Sequence, residues 1–229
     1  MEFRGCNVCR LLLFTMFFSA LCAKDVVGQS EPLQVSEGQH MTLEETGKLL
    51  PPEKMSRMID EHLKSIREVY PEMMNITHRP KWAAGELVVS GVNQNTIRII
   101  NNSRYGPLNA ADKMPGSSNS FRLIFSKPYH PARLSEEISR AFDIDHAEAN
   151  MIPGDGNDVR YIKSSPAPTY YTYVFKMGWG ECHMPGGCIY RHFWEFTVAQ
   201  SAETLTVRFE KDYGSDVSKK LRLKARNKT

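Results

Sequence analysis

Cys182 and Cys188 are the residues whose type and spacing most directly predict a chemical bond. Together with His183 and His192 they could instead form a metal site. Tetrahedral zinc sites usually separate paired cysteines by about two to four residues, fewer than the five found here. An oxidising compartment also favours oxidation of the pair. We therefore predict a disulfide. Its short loop contributes only about 2–3 kcal/mol by chain entropy, so its main effect is to fix the shape of a hairpin tip.

The other reactive side chains predict neither a catalytic site nor a cofactor or metal site. His192 could act as a general base, but a histidine on a strand face is more often hydrogen-bonded to the backbone or to a tyrosine. Asp155, Asn157 and Asp158 could bind calcium, yet no glutamate closes an EF-hand loop after them, so we interpret them as part of a hairpin turn. The chain has no G-x-S-x-G, H-E-x-x-H, P-loop or G-x-G-x-x-G sequence.

The N-terminal residues predict secretion. Arg4 and Arg10 precede or border an apolar run over residues 11–21, which is the arrangement of a secretory signal peptide. The run is short for a membrane span and contains polar residues. We expect cleavage after residue 23, or as late as residue 28. Cleavage would leave the chain with a single pair of cysteines, as expected for one disulfide in a secreted protein.

Composition and charge indicate a globular protein. Of the 229 residues, 41% are hydrophobic and 24% are charged, and the formal net charge is +3. These values exclude a disordered or collagen-like chain and give no reason to expect nucleic-acid binding. No later apolar run is long enough to span a bilayer, so we expect no transmembrane segment after signal removal. Three sequons predict N-glycosylation in a eukaryotic source, at Asn75, Asn101 and Asn227.

Hydrophobic periodicity divides the chain into segments that position these residues. We predict a signal peptide over 1–23, a flexible spacer over 24–50, an amphipathic helix over 51–70, an α+β domain over 80–213 and a basic tail over 214–229. Within the domain, period-two patterns predict strands over 86–89, 96–100, 121–125, 146–152 and 158–163. We expect helices over 108–113 and 131–142. A tight turn would join the strands at 146–152 and 158–163.

The last three predicted strands have an aromatic inner face and predict an antiparallel meander. Its first hairpin carries the cysteine pair. The residues that share this face are Tyr171, Tyr173, Phe175 and Met177, then Tyr190, His192, Trp194, Phe196 and Val198, then Leu205, Val207 and Phe209.

Two stretches resemble known families. The first is similar to the opening strand of subtilase propeptides and related inhibitors: Trp82-Ala83-Ala84-Gly85-Glu86-Leu87-Val88-Val89. Residues 134–142 and 146–150 resemble the helix and following strand of that family. This resemblance implies a ferredoxin-like α+β fold, and it suggests an inhibitor or folding helper. Because no protease domain follows, a propeptide role in cis is not expected.

The second resemblance is to a cysteine hairpin found in uncharacterised secreted proteins. The residues that carry it are Gly178-Trp179-Gly180-Glu181-Cys182, Gly187-Cys188-Ile189 and Arg191-His192-Phe193-Trp194. It implies a fold and a compartment and no activity.

We therefore predict an α+β protein with an antiparallel ferredoxin-like sheet and helices on one face, extended by a disulfide-clamped β-meander. We expect a secreted, non-enzymatic binding or matrix-associated protein, for instance a component of an organic or mineralised matrix, whose partner is an extracellular protein or an acidic glycan. The alternatives are a protease inhibitor or propeptide-like folding helper, and an enzyme with an unrecognised site near His192. The expected contact residues are Trp179 and His183 at the hairpin tip and Lys219, Lys220, Arg222 and Lys224 in the tail.

Overall fold

A computed structural model describes residues 33–163, 170–183, 186–200 and 204–218. The predicted signal peptide, most of the basic tail and the sequon at Asn227 lie outside these ranges. The helices are α1 (Glu37–Thr46), α2 (Glu53–Val69), α3 (Gln94–Asn101) and α4 (Pro131–Phe142), with a 3-10 turn at Pro71–Met73. The strands are β1 (Trp82–Ser90), β2 (Leu108–Lys113), β3 (Ser120–Phe125), β4 (His146–Met151), β5 (Asp158–Lys163), β6 (Tyr170–Trp179), β7 (Tyr190–Gln200) and β8 (Leu205–Gly214).

The first sheet has the ferredoxin-like topology that the resemblance to subtilase propeptides implies. Its strands lie in the order β2-β3-β1-β4, all neighbours are antiparallel, and the chain runs β1-α3-β2-β3-α4-β4. Helices α3 and α4 bury their apolar stripes in one core with the sheet, where Ile97, Leu134 and Ile138 meet Leu87 and Leu123. Burial of these side chains is the main source of stability of this layer.

The meander forms a second sheet with its own core. Its order is β5-β6-β7-β8, so it contains four consecutive antiparallel strands. Helix α2 lies across its aromatic face, and Ile59 and Leu63 pack there with Tyr173, Trp194 and Phe196. The predicted tight turn between β4 and β5 is not a hairpin, because β4 pairs with β1 and β5 pairs with β6. Residues 152–157 instead connect the two sheets.

Part of the predicted spacer is a helix that joins the two layers. The Ser36 hydroxyl accepts a hydrogen bond from the Gln39 amide, and the Gln39 side chain accepts one from the Ser36 amide, so α1 begins with a capping box. Met41 enters the core under α2, whereas Leu43 packs in a separate small cluster with Trp82. The prediction of a flexible segment is wrong here because the apolar residues of α1 divide between two partners and show no single-face period.

Helix α1 crosses α2 at close range. A Cβ on Gly38 would lie 2.2 Å from the backbone oxygen of Ser56. The Asp60 carboxylate on α2 accepts hydrogen bonds from the Ser36 hydroxyl and the Gly38 amide, both at 2.7 Å. Glu37 adds a bidentate ion pair with Arg67. These polar contacts hold α1 against α2, although α1 has no long apolar face to bury there.

Two short elements differ from the sequence prediction. Residues 96–100, expected as a strand, lie in helix α3, because the Asn93 side chain caps its first turn and Ile97 and Ile100 face the core one turn apart. Residues 108–113, expected as a helix, form β2 at the edge of the first sheet. In β2, pairing with β3 overrides the weak local preference, whereas α3 follows a local cap and helical spacing that the short apolar run obscures.

Candidate functional site

The hairpin between β6 and β7 ends in a tip closed by the predicted disulfide. Trp179 lies opposite Tyr190 in the strand register, and the Ile189 amide donates a hydrogen bond to the Gly180 carbonyl at 2.9 Å. Cys182 and Cys188 are covalently bonded, which confirms the prediction. Residues 184 and 185 of the enclosed loop lie outside the described ranges. The bond closes the loop at the point where the strands separate.

A single carboxylate fastens this tip to the loop between the sheets. Asp155 accepts hydrogen bonds from the Cys188 amide at 3.1 Å and from the Arg191 guanidinium at 3.0 and 3.2 Å. Lys176 on β6 also donates to it. Burial by itself would raise the pKa of Asp155, but the hydrogen bonds from Lys176, from the Gly156 and Cys188 amides and from Arg191 hold it well below its usual range. The carboxylate therefore stays ionised and the tip is held at a second point.

The tip presents an apolar surface to solvent. The rings of Trp179 and Tyr190 stack with their centroids 5.7 Å apart and their planes at 24°. Ile189 is 58% exposed and Tyr190 is 50% exposed. His183 is exposed in the same loop. We call Trp179, Ile189 and Tyr190 the tip surface.

The structure places only some of the predicted site residues together. Trp179 and His183 both lie at the tip, whereas Lys219, Lys220, Arg222 and Lys224 lie outside the described residues. Asn75 is exposed after the 3-10 turn, and the Asn101 side chain accepts a hydrogen bond from the Leu108 amide at 2.9 Å. Both sequons remain predictions of glycosylation.

His192 lies on the buried face of β7, against Trp194. Its Nδ1 lies 2.6 Å from the backbone oxygen of Ser215, and its Nε2 lies 3.4 Å from the Asp212 carboxylate. The expected contact to the backbone is confirmed. Within the described residues, no nucleophilic side chain is hydrogen-bonded to the imidazole of His192. The arrangement therefore adds no support to the alternative of an enzyme with a site near His192.

Beside the tip, a cleft of about 510 Å³ opens between the two sheets. The C-terminal end of α1, the segment before β1, the end of β4 and the start of β5 form its walls. His78 lies at its base with its side chain only 6% exposed. Asp155 and Lys176 also border it, so the cleft and the tip share the same ionic anchor.

His78 lies between two carboxylates. Its Nδ1 is 3.2 Å from the Asp158 carboxylate and 3.0 Å from the Val159 carbonyl, and its Nε2 is 3.6 Å from Glu44. Burial opposes the charge on the ring, but the two carboxylates outweigh it and raise the pKa of His78 to about 9. The same contacts lower the pKa of Glu44 and of Asp158 against the effect of their own burial. The three groups form a buried ionic cluster at neutral pH.

Local sequence patterns do not predict this cluster. Glu44 lies in the segment expected to be a spacer, His78 lies in the connection before β1, and Asp158 lies in the segment expected to be a turn. No fixed spacing links these positions, because the cluster exists only where α1, β1 and β5 converge. The one local signal is the group at Asp155, Asn157 and Asp158, in which the two aspartates make ion pairs and the Asn157 side chain accepts a hydrogen bond from the Gly178 amide.

Within the described ranges, no group of three or more His, Cys, Asp or Glu side chains is arranged to hold a metal ion. Among the described helices, none combines the length and apolar character needed to cross a membrane. Comparison of the chain with protein families, with curated proteins and with solved structures gives no significant match.

Proposed function

We propose that this protein is a secreted, non-enzymatic binding or matrix-associated protein that contacts its partner through the tip surface. The observation that carries this proposal is an exposed aromatic and aliphatic surface on a hairpin tip that a disulfide and a multiply hydrogen-bonded carboxylate both hold in place. The disulfide and the N-terminal signal-like sequence support export to an oxidising compartment.

The physical argument rests on rigidity combined with exposure. Large apolar side chains exposed together cost solvation free energy in the isolated molecule, and a partner removes that cost by covering them. Stacked aromatic rings lose little conformational entropy on binding because they are already ordered. A tip fixed at Cys188 by the disulfide and by Asp155 is preorganised in the same way. This combination suits recognition of another surface.

Binding to washed extracellular matrix from the native source tests the proposal. We would measure the retained fraction of the folded, secreted chain over a range of concentrations, and locate the native protein by mass spectrometry. We expect enrichment in the matrix. A chain carrying both Ile189→Ser and Tyr190→Ser should be retained at least about tenfold more weakly, because aromatic and aliphatic anchors dominate binding energy.

Ile162→Ser is the matched control, since Ile162 is also about half exposed, on β5 away from the tip. It should change retention by less than about twofold. Equal retention of the tip variant and the control, or a native protein found only in soluble secretions, would contradict the proposal.

The ferredoxin-like topology favours a second candidate function, that of a protease inhibitor or folding helper. The strand order β2-β3-β1-β4 is the fold implied by the resemblance to subtilase propeptides, although fold alone does not establish function. Inhibition of a subtilisin-type serine protease by equimolar protein tests this candidate. A protease that remains fully active at a large excess of the protein removes it.

A further inference from the structure

The cleft between the sheets contains an arginine without an anionic partner. Arg79 makes no ion pair with a carboxylate in the described part of the chain. Its Nη2 donates to the Pro153 carbonyl at 2.6 Å, and its Nε is buried without a hydrogen bond to any described residue. A guanidinium that is half buried and not neutralised attracts an anion more strongly than one in open water.

The loop beside this guanidinium places two glycines against it. Arg79 lies against Gly154 and Gly156, and a Cβ on these glycines would lie 3.1 Å and 3.7 Å from its Nη2 and Nη1 atoms. Both glycines have positive φ, so the loop keeps a conformation that side-chain-bearing residues rarely adopt. Glycine at both positions keeps side chains off the guanidinium of Arg79, which lines the cleft.

Two further cations stand at the rim of the cleft. The side chains of Lys81 and Arg160 are 73% and 72% exposed. Lys81 pairs with Glu44 and Arg160 pairs with Asp158, and both of these carboxylates also face the imidazolium of His78. The carboxylates are only 17% and 11% exposed, but the two cationic side chains lie mostly in solvent, so each can also contact an incoming anion.

From this arrangement we propose that the cleft binds the sulfate or carboxylate groups of an acidic glycan, with Arg79 as the central contact and Lys81 and Arg160 as rim contacts. This inference rests on the proposed function for its extracellular setting and extends it with a second site and a ligand class. The fork of an arginine suits two oxygens of one sulfate or carboxylate.

The spread of the cations favours a polyanion over a single small ion. Lys81 pairs with Glu44 on the Nε2 side of His78, and Arg160 pairs with Asp158 on the Nδ1 side, so the two rim cations lie on different sides of the imidazole. A chain of sugars carrying repeated charges can meet all three. The exposed Met151 and the half-buried Tyr161 offer apolar surface for the faces of sugar rings.

Titration of the mature, full-length chain with a heparin-derived oligosaccharide of defined length tests the site, with inorganic sulfate as a second ligand. Arg79→Gln should weaken oligosaccharide binding by at least about tenfold. Arg98→Gln makes the same change of charge on the exposed side of α3 and should stay within about twofold. Inorganic sulfate should bind far more weakly than the oligosaccharide, because it meets only one cation.

Lys81→Gln changes an exposed side chain, so it tests the site even if the Arg79→Gln chain does not fold. We expect oligosaccharide binding by the Lys81→Gln chain to weaken by about threefold or more. Equal binding by the Arg79→Gln and wild-type chains would overturn the proposal. Binding of polyglutamate through Arg79 in place of the oligosaccharide would also overturn it. The variant Ile189→Ser/Tyr190→Ser should keep oligosaccharide binding, which separates failure of this site from failure of the tip surface.

Discussion

At the scale of single residues, Asp155 and His78 each join segments that are far apart in the sequence. Asp155 connects the loop between the sheets to the disulfide tip, and His78 connects α1 to β5. Buried ionic groups contribute modestly to stability when paired, but removing one partner leaves the others desolvated and unpaired. Their main effect is therefore to specify which segments meet.

Asp155→Asn should destabilise the protein by about 2–4 kcal/mol, because Lys176 and Arg191 would lose their shared carboxylate. The free energy of unfolding in urea measures the effect. Asp145→Asn is the control at an exposed position and should change it by less than about 0.5 kcal/mol. Similar stability of the two variants would show that the tip does not depend on Asp155.

His78 should make stability fall at alkaline pH. Its folded-state pKa of about 9 lies above the ordinary value of 6.5, so its contribution is complete below pH 6.5 and is lost as pH rises to 9. The loss is as much as about 3 kcal/mol. Unfolding measured from pH 6.5 to 9 should show this slope, and His78→Gln should flatten it. An unchanged slope in the variant would assign the loss to other groups.

On the acid side, the buried His62 and the half-buried His40 should change stability in the opposite direction from His78. Burial lowers the pKa of His40 and of His62 to about 4, so both are neutral in the fold and take up protons on unfolding. Their contribution is complete above pH 6.5 and is lost as pH falls towards 4. Together with His78 they place the maximum of stability near pH 6.5.

At the scale of elements, α1 is the part whose role depends most on tertiary contacts. It is capped by Ser36 and crosses α2 at Gly38, where there is no room for a side chain. It also supplies Glu44 to the ionic cluster in the cleft. Both the helix packing and the cleft thus depend on one short helix.

Gly38→Ala should cost about 2–4 kcal/mol, because the new Cβ would lie 2.2 Å from the Ser56 carbonyl and force the helices apart. Gly47→Ala is the control at the end of the same helix: it has a φ of +58° and open space around it, so only backbone strain of about 1 kcal/mol is expected. Thermal unfolding compares the two. A Gly38 variant no less stable than the Gly47 variant would contradict the close crossing.

At the scale of the whole molecule, the two sheets have separate hydrophobic cores. One is built from α3, α4 and the first sheet, and the other from α2 and the second sheet. Met41 of α1 belongs to the second core, and Leu43 packs on Trp82 of β1. Through these two side chains, α1 connects the first sheet with the second.

We expect the two sheets to unfold together. Hydrogen exchange followed by mass spectrometry at increasing urea should show peptides of β3 and β7 losing protection at the same concentration. Gly38→Ala should lower both midpoints equally, since α1 contacts both layers. Earlier loss of protection in β3 than in β7 would show that the sheets are independent folding units.

Local patterns in the sequence correctly predicted several elements. The period of Met55–Tyr70 gave helix α2, and the alternating aromatics gave β6, β7 and β8. The cysteine spacing gave the disulfide. Each of these depends on neighbours within one element or one hairpin, where side-chain period and loop length are set by the backbone itself. The topology of the first sheet was expected only from the resemblance to subtilase propeptides, and the strand order agrees with that expectation.

Only the tertiary structure decided how these elements combine. The alternation of apolar and polar residues identifies strands but not which strands pair. The sequence therefore predicts a hairpin of β4 and β5, whereas β4 pairs with β1 and β5 pairs with β6 in different sheets. The cleft needs α1, the segment before β1 and β5 at one place, and Glu44, His78 and Asp158 have no periodic relation. Their pKa values likewise depend on burial and on charges brought close by folding. The amino-acid sequence thus determined helix α2, the strands of the meander and the disulfide, whereas long-range packing determined α1, β2, the ionic cluster and the cleft.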